Sequence, residues 1–246
     1  MVIDLNADIG EGFPADRELL ELITSASVAC GGHTGDIPTM RMTAELAAER
    51  SVAVGAHPGY PDRESFGRRE IGASTADIER WVREQVHAFS EVCSSLGVRL
   101  RYVKAHGALY NRAWRDEEAA AAITAGVRAV NASLVVLGPP DSAMLAAARD
   151  AGLGTAREAF LDRGYAADGT LVPRGEPDAL VTDAAAAAER ALAVARGHDV
   201  RATDGMCLTI QAESVCVHGD SPHAVALARA ARERLLDAGI ELAPFA

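Results

Sequence analysis

Lysine is nearly absent from this sequence of 246 residues, which has 24 basic residues but only one lysine, Lys104. All the other cations are arginine, a planar group that stays charged, whereas the lysine ammonium is compact and can lose its proton when it is desolvated. A lone lysine in this background indicates a position at which arginine does not serve equally well. Chance placement is the alternative, and the neighbours of Lys104 must decide between the two.

Aromatic residues and basic surface are also scarce. Aromatic residues make up 4% of the chain, so we expect a core of Val, Leu, Ile and Ala with alanine-rich helices. Acidic residues outnumber basic ones by 35 to 24, and the net charge is −11. This balance argues against nucleic acid and anionic membranes as partners, because no basic run is available to neutralise phosphates. Small groups of arginines could still hold one phosphate-bearing ligand.

Cysteines are few, and long apolar runs are missing. The four cysteines show no CxxC spacing, so we expect reduced thiols rather than disulfides or a zinc site. No apolar run approaches the roughly 20 residues that span a bilayer, and the first residues lack the pattern of a signal peptide. The sequence therefore predicts a cytoplasmic protein.

Apolar, β-branched runs alternate with longer segments of helical period along one domain, residues 1–246. The alternation predicts about seven parallel strands, and both a closed (β/α) barrel and an open doubly wound sheet fit it. One long irregular arm, 161–180, interrupts the pattern. The predicted helices are 40–50, 74–97, 116–131, 141–151, 183–197 and 221–238, and the predicted strands are 2–8, 27–30, 52–57, 100–106, 134–138, 154–160 and 214–220.

Polar and titratable residues follow strand after strand, and four of the seven histidines are among them. In parallel α/β folds the carboxyl ends of the strands face one crevice, so these clusters are expected to converge. A lone histidine in such a loop is more often structural, but four at equivalent positions favour a site. The clusters are Asn6, Asp8 and Glu11; His33 and Asp36; His57 and Asp62; Lys104, His106 and Asn111; Glu158, Asp162 and Arg163; His218 and Asp220.

Histidines with carboxylates are typical of two chemistries. They could bind a divalent metal that activates water, or they could do acid–base chemistry without a metal. No HxxxH or HExxH spacing decides between these alternatives. No GxSxG, GxGxxG or GxxxxGKS occurs, so a serine hydrolase and the standard nucleotide-binding loops are poorly supported.

Eight motifs together resemble the LamB/YcsF family, the A subunit of 5-oxoprolinase, in order from residue 4 to about residue 240. The chain departs from the family pattern at Gly32, at Ala105, where a proline is expected, and at Leu161, but no candidate catalytic group is lost. The motifs are DLNADIGE (4–11), SASVACGGHTGD (25–36), GAHPGYPD (55–62), FGRR (66–69), VKAHGALYN (103–111), EAFLDRGY (158–165), LVPR (171–174) and CVHGD (216–220).

The resemblance implies a (β/α) barrel-like α/β fold of the glycoside hydrolase/deacetylase type. It also implies ATP-dependent opening of 5-oxo-L-proline to L-glutamate, performed together with the partner subunits B and C. ATP would be a cosubstrate, bound either by this chain or by a partner. Whether the chain also forms a homo-oligomer stays open.

Opening a stabilised lactam requires a cation near the developing oxyanion or phosphate, a base for water and a donor to the leaving nitrogen. On the resembling motifs we assign Lys104 to the negative charge and Asp8, Glu11 and His106 to acid–base catalysis. Arg163 or Arg69 would hold the substrate carboxylate. If a divalent metal is used, Asp8, His33 and His57 would ligate it. The remaining expected substrate contacts are Asn6, His33, His57, Asn111, Glu158, His218 and Asp220.

Two rival functions remain open from the sequence. One is a metal-dependent deacetylase or amidohydrolase that acts alone, and the other is a non-catalytic subunit that binds 5-oxoproline for its partners. The alternation along the fourth strand adds one geometric expectation, namely that Tyr102, Lys104 and His106 share a face and point inward.

Overall fold

The computed structural model describes residues 1–221 and 223–246, which form ten strands and eight helices. The strands are β1 (Val2–Ile9), β2 (Ser25–Ala29), β3 (Ala53–His57), β4 (Leu100–Val103), β5 (Val135–Gly138), β6 (Gly154–Phe160), β7 (Asp199–Arg201), β8 (Cys207–Thr209), β9 (Ser214–His218) and β10 (Glu241–Leu242). The helices are α1 (Asp16–Leu19), α2 (Ile37–Glu49), α3 (Thr75–Leu96), α4 (Gly107–Ala113), α5 (Glu117–Val130), α6 (Ala143–Asp150), α7 (Ala184–Ala195) and α8 (Ala224–Asp237).

Seven parallel strands close into a barrel. Strands β1 to β6 pair in chain order, and β9 pairs with both β6 and β1. The closed barrel is therefore the arrangement that the chain adopts, rather than the open doubly wound sheet. The seven predicted strands are confirmed, although β2 begins at Ser25, two residues earlier than predicted, and β4 ends at Val103.

Five short elements were not predicted from the sequence. They are the antiparallel β7–β8 hairpin, the strand β10 beside β1, and the helices α1 and α4. Each has between two and seven residues, which is too few for a hydrophobic period to become visible. The predicted helix 221–238 is observed from Ala224 onward, and its residue 222 lies outside the described residues.

The inside of the barrel is polar, and its outside is apolar. Along β1, Ile3, Leu5, Ala7 and Ile9 join the hydrophobic core beneath the helices. The alternate side chains point the other way, because successive residues of a strand face opposite sides. The inward side chains are hydrogen-bonded across the barrel or ion-paired with one another, as buried polar groups must be. They are Asp4, Asn6 and Asp8 on β1, Ser25 and Ser27 on β2, Tyr102 on β4, Glu158 on β6 and Ser214 on β9.

Capping residues mark both ends of α3 and the start of α2. Ser74 accepts a hydrogen bond from the backbone N–H of Asp77 at the start of α3, and Gly97 ends the helix with a φ of 67°. Both agree with the predicted range of this helix, residues 74–97. Asp36 likewise caps α2 through the N–H of Thr39, so this exposed carboxylate has a structural task and lies outside the site.

The irregular arm 161–180 folds back on itself beside the barrel mouth. Isolated bridges join Arg163 to Leu180 and Tyr165 to Leu171. The arm therefore has a defined path, and its residues are available to line whatever lies at the mouth. Among the described residues, no helix combines the length and the apolar character needed to cross a membrane. The four cysteines are free thiols, as predicted.

Candidate active site

Lys104 lies buried inside the barrel mouth, among groups from three other strands. Its Nζ is 2.8 Å from Asp8 Oδ1, 3.0 Å from Glu158 Oε2 and 3.1 Å from Cys216 Sγ. The backbone N–H of Lys104 still bonds to Ala56 of β3, which extends the ladder one residue beyond β4 and aims the side chain inward. Tyr102 and Lys104 thus point inward as expected, and His106, the third residue of that expectation, lies in the same mouth beside His57.

Lys104 and Asp8 each keep the other in its charged form. Burial acts to lower the pKa of Lys104, but Asp8 and Glu158 outweigh it and raise that pKa well above its usual value. Burial acts to raise the pKa of Asp8, but His57 and Lys104 hold it well below its usual value. The site therefore presents a fixed ammonium next to a fixed carboxylate, both almost fully removed from water.

Three histidines and Glu11 form a compact buried cluster above this pair. Glu11, His33, His57 and His106 offer ligand atoms that all lie within 4.8 Å of one another. The cluster could therefore hold a metal ion. Burial and the negative charges of Asp8 and Asp220 raise the pKa of Glu11 well above its usual value. Burial and the neighbouring histidines lower the pKa of His106 well below its usual value.

The hydrogen bonds of His57 and His106 decide which ring nitrogens carry protons. Nδ1 of His57 donates to the carbonyl of Lys104, and Nε2 of His106 donates to the carbonyl of Phe66, each at 2.8 Å. In two neutral rings the other nitrogens are then bare, and they face each other at 3.0 Å. Two lone pairs at this distance repel, so a cation between them, either a shared proton or a metal ion, resolves the conflict.

Three of the four groups in this cluster are well placed to bind one metal ion. Carbonyl-anchored imidazoles beside a carboxylate are typical of protein metal sites, and Glu11 Oε1 lies 3.6 Å from His106 Nδ1. His33 fits less well, because its ring stacks on that of His106 at 3.6 Å and 4°, so their in-plane lone pairs run parallel. Asp8, which was predicted as a metal ligand, lies at the edge of the cluster, with its Oδ2 3.4 Å from His57 Nε2. His57, His106 and Glu11 are thus the best-placed ligands.

His218 is held by Asp162, a residue of the arm. Nδ1 of His218 donates to the Asp162 carboxylate at 2.9 Å, and the backbone N–H of His218 bonds to the same carboxylate. Burial acts to raise the pKa of Asp162, but His218 holds it below its usual value. The ring also stacks on Phe160. This arrangement leaves Nε2 of His218 directed toward Asp8, 3.9 Å away.

These groups line a narrow cavity, which we call the inner cavity. Its volume is about 40 Å³, enough for a water molecule. Its lining includes Asp8, His57, Lys104, His106 and His218, and it also includes residues shared with a larger outer pocket of about 470 Å³. The shared residues are Arg68, Gly107, Asn111, Arg163, Leu171 and Arg174.

Several residues predicted to touch substrate lie elsewhere. Asn6 and Glu158 are fully buried away from the inner cavity, where Asn6 donates to Ser214 and Glu158 contacts Lys104. Arg69 points into solvent beside Asp62, and its side chain is 61% exposed. Glu11 and His33 form part of the histidine cluster but do not line the cavity. Asp220 pairs with Arg68 at 2.7 Å.

Four further residues line the inner cavity, namely Arg68, Arg174, Tyr110 and Phe160. The last three were not predicted from the sequence, and Arg68 was considered only together with Arg69. Each lies within a motif that resembled the family, and the two aromatic residues carried no chemical signal of their own. Arg68 could not be distinguished from Arg69 by position. The preceding turn, with φ values of 54° at Phe66 and 63° at Gly67, sets the direction of the chain at these two arginines, and Arg68 is the one that faces inward.

Comparison with known proteins identifies relatives along the whole chain. The model of the LamB/YcsF family matches residues 3–246. A Streptomyces avermitilis protein, named as the A subunit of 5-oxoprolinase, is 49% identical over 250 residues, and the match covers both proteins completely. The crystal structure of the lactam utilization protein from Thermus thermophilus superposes with a TM-score of 0.92 and 41% identity, again with complete coverage of both chains.

More distant structural similarity extends to deacetylases. The catalytic domain of a peptidoglycan N-acetylglucosamine deacetylase from Eubacterium rectale matches with a TM-score of 0.52 and 13% identity, over 100% of this chain and 88% of that domain. At this identity the likeness concerns the fold alone. It confirms the expectation of a (β/α) barrel of the deacetylase type.

Proposed function

Because the chain belongs to the LamB/YcsF family, we propose that it opens the lactam ring of 5-oxo-L-proline to give L-glutamate, as the A subunit of a 5-oxoprolinase. The observation that carries this proposal is the buried Lys104–Asp8 pair at the wall of a water-sized cavity, with His218 on the same wall. A lactam carbonyl at the cavity entrance would meet a fixed positive charge, and a water would meet acid–base groups. The full-length relative named for 5-oxoprolinase supports the same substrate.

Lys104 is suited to stabilise negative charge on the lactam oxygen. Its ammonium is already held by two carboxylates and does not have to be reoriented when charge develops, which is the basis of electrostatic preorganisation. Its raised pKa keeps the proton on Nζ, so we assign it the role of a cation rather than a base.

His218 is the best-placed group to exchange protons with water and with the leaving nitrogen. Asp162 fixes the proton on Nδ1, so Nε2 is the free nitrogen, and His218 lines the inner cavity. This differs from the sequence-based hypothesis for His106, because both nitrogens of His106 are engaged by His57 and by the carbonyl of Phe66. Glu11, which is bonded to His33 at 3.1 Å, would act through the histidine cluster.

ATP enters the proposed reaction by activating the carbonyl. Transfer of its terminal phosphoryl group to the lactam oxygen releases ADP, and one water then adds to the carbonyl carbon. The C–N bond breaks as the ring nitrogen takes a proton, which leaves an acyl phosphate. A second water cleaves the acyl phosphate to L-glutamate and inorganic phosphate. We propose that the B and C subunits take part, in keeping with the name of the relative, which describes one subunit of an assembly.

A second candidate function is a metal-dependent amidohydrolase that acts without partners. The converging ligand atoms of Glu11, His57 and His106 favour it. A divalent metal held there would polarise a water molecule or a carbonyl oxygen. In this candidate, His218 would still move protons, and Lys104 would still hold Asp8 in its charged form.

Reconstitution separates the two functions. The purified chain is mixed with B and C subunits, and glutamate release from 5-oxoproline is followed with and without ATP. We expect release only in the complete mixture with ATP. No release from well-folded subunits would overturn the proposed function. Release by this chain alone, without ATP and abolished by a chelator, would establish the second candidate instead.

A further inference from the structure

The outer pocket beside the inner cavity is lined by four arginines, and we call it the arginine pocket. They are Arg68, Arg115, Arg163 and Arg174, and no acidic residue is among the lining residues. This concentration of positive charge occurs in a chain whose net charge is −11. Because nothing in the overall composition favours it, the cluster requires a local explanation.

The carboxylates near the arginine pocket do not balance its charge. Asp220 lies 2.7 Å from Arg68 and 3.5 Å from Arg174, so one carboxylate serves two guanidinium groups. Asp168 pairs with Arg115. Within ion-pairing distance, four guanidinium groups therefore share two carboxylates, and Arg163 and Arg174 also feel the more distant charge of Asp162.

Arg163 differs from the other three arginines in its hydrogen-bond partners. It is buried, and it donates from Nε to the carbonyl of Ala179 at 3.2 Å and from Nη2 to the carbonyl of Val172 at 2.6 Å. No carboxylate forms an ion pair with it among the residues that the structure describes. The two carbonyls fix the guanidinium plane and leave three of its five N–H donors available. Burial together with Arg174 lowers the pKa of Arg163 to about 10, so the group stays charged at neutral pH.

We infer that the arginine pocket binds a phosphate dianion, either as inorganic phosphate or as the phosphoryl group of a ligand. A phosphate group carries between about 1.5 and 2 negative charges at neutral pH and has three strong acceptor oxygens, so it can pair with more of these guanidinium groups at once than a monocarboxylate can. Planar guanidinium groups also bind phosphate oxygens in pairs. The shared residues Arg68, Arg163 and Arg174 would hold the phosphate at the entrance of the inner cavity.

This inference deepens the proposed function and rests on it for its biological meaning. ATP-driven activation attaches a phosphoryl group to the lactam oxygen and later releases phosphate, so both species would pass the entrance of the inner cavity. Binding of phosphate, in contrast, can be measured on the isolated chain without partners, ATP or turnover. The two ideas can therefore fail independently.

The test is calorimetric titration of the isolated chain with inorganic phosphate at constant ionic strength, with acetate as the monocarboxylate probe. We expect saturable binding of one phosphate, weakened at least tenfold by Arg174→Gln and by Arg163→Gln. The first variant removes a partly exposed side chain that makes no backbone contact in the arm, so it tests the pocket even if Arg163→Gln disturbs folding. Arg80→Gln removes the same charge from the surface of α3, where Arg80 pairs with Asp77, and should leave the affinity unchanged.

Two results would overturn the inference. The first is the absence of saturable phosphate binding, or binding that Arg174→Gln and Arg163→Gln leave unchanged. The second is acetate binding as tightly as phosphate and competing with it, which would make the pocket a carboxylate site. Phosphate binding without glutamate release in the complete mixture would contradict the proposed function alone.

Discussion

His218 meets the inner cavity with one ring nitrogen because Asp162 holds the other. The carboxylate accepts from both the ring and the backbone N–H of His218, so it sets both the tautomer and the orientation of the ring. A single residue of the arm thereby controls a group on the last barrel strand. Asp162 is a positioning residue in this account, and His218 is the group that meets the substrate.

The Asp162→Asn variant tests this relation. The amide N–H of the introduced side chain would face Nδ1 of His218 and favour the tautomer with the proton on Nε2. Nε2 could then no longer accept a proton, so we expect kcat to fall about 10²- to 10⁴-fold. KM for 5-oxoproline should change little, and the circular dichroism spectrum should match that of the wild type. Asp150→Asn, an exposed change at the end of α6, is the control. Equal kcat values for the two variants would remove Asp162 from the mechanism.

Asp4 makes the stability of the barrel depend on pH. Burial raises its pKa to about 6 from 3.8, despite hydrogen bonds from Ser214, Ser25 and Thr24 that act to lower it. Between these two values the folded chain binds the proton more tightly than the unfolded chain does. The free energy of unfolding therefore falls as the pH rises through this window.

Replacing Asp4 by Asn removes this titration and keeps the shape of the side chain. We expect the stability of Asp4→Asn relative to the wild type to rise by roughly 3 kcal/mol between pH 3.5 and pH 7, because each pKa unit corresponds to about 1.4 kcal/mol. Urea denaturation at several pH values measures this difference. A difference that stays constant with pH would show that Asp4 does not titrate in this way.

At the scale of elements, the loop–helix junction at Gly107, the first residue of α4, is fitted against the loop that contains Gly67. Gly107 has a φ of 55°, and a Cβ added to it would lie 2.6 Å from the carbonyl oxygen of Gly67. The same loop carries the Phe66 carbonyl that accepts from His106. The contact between two loops therefore determines how the histidine cluster is oriented.

Gly107→Ala is expected to separate these loops. It should reduce the free energy of unfolding by about 2 kcal/mol more than Gly152→Ala, and it should also lower kcat. Gly152 is the matched control because its φ of 77° is equally unfavourable for alanine, while no atom lies within 4 Å of the added Cβ. Chemical denaturation and turnover measure the two effects. Similar stability losses with full activity in both variants would contradict the proposed role of this contact.

The sequence was sufficient to predict elements whose signal is local. The seven barrel strands have apolar runs, and α3 has caps at both ends, so their existence follows from period and capping chemistry. The clustering of the strand-end residues was also predictable, because parallel strands end on one side. The pairing of Lys104 with Asp8 and Glu158 was not, since it depends on how far the side chains reach across the closed barrel. The inward orientation of Arg68 depends on the turn conformation at Phe66–Gly67.

On the scale of the whole molecule, charge is arranged in layers along the barrel. Hydroxyl groups around Asp4 lie deepest, the Lys104–Asp8 pair lies at the mouth, and the arginine pocket lies outside it. An apolar shell of strands and alanine-rich helices surrounds this polar interior. Buried polar groups cost stability unless they are paired, and the inward groups of this barrel are hydrogen-bonded or ion-paired with one another.

The central claim is that the fixed ammonium of Lys104 stabilises the reacting lactam. The most direct measurement is kcat for Lys104→Arg in the complete mixture with partner subunits and ATP. The larger, planar guanidinium cannot occupy the position between Asp8 and Glu158, so we predict a fall of at least about 10²-fold, although the charge is retained. Arg101→Lys, the reciprocal change at an exposed position of β4, should leave kcat unchanged. A fully active Lys104→Arg enzyme would contradict the account.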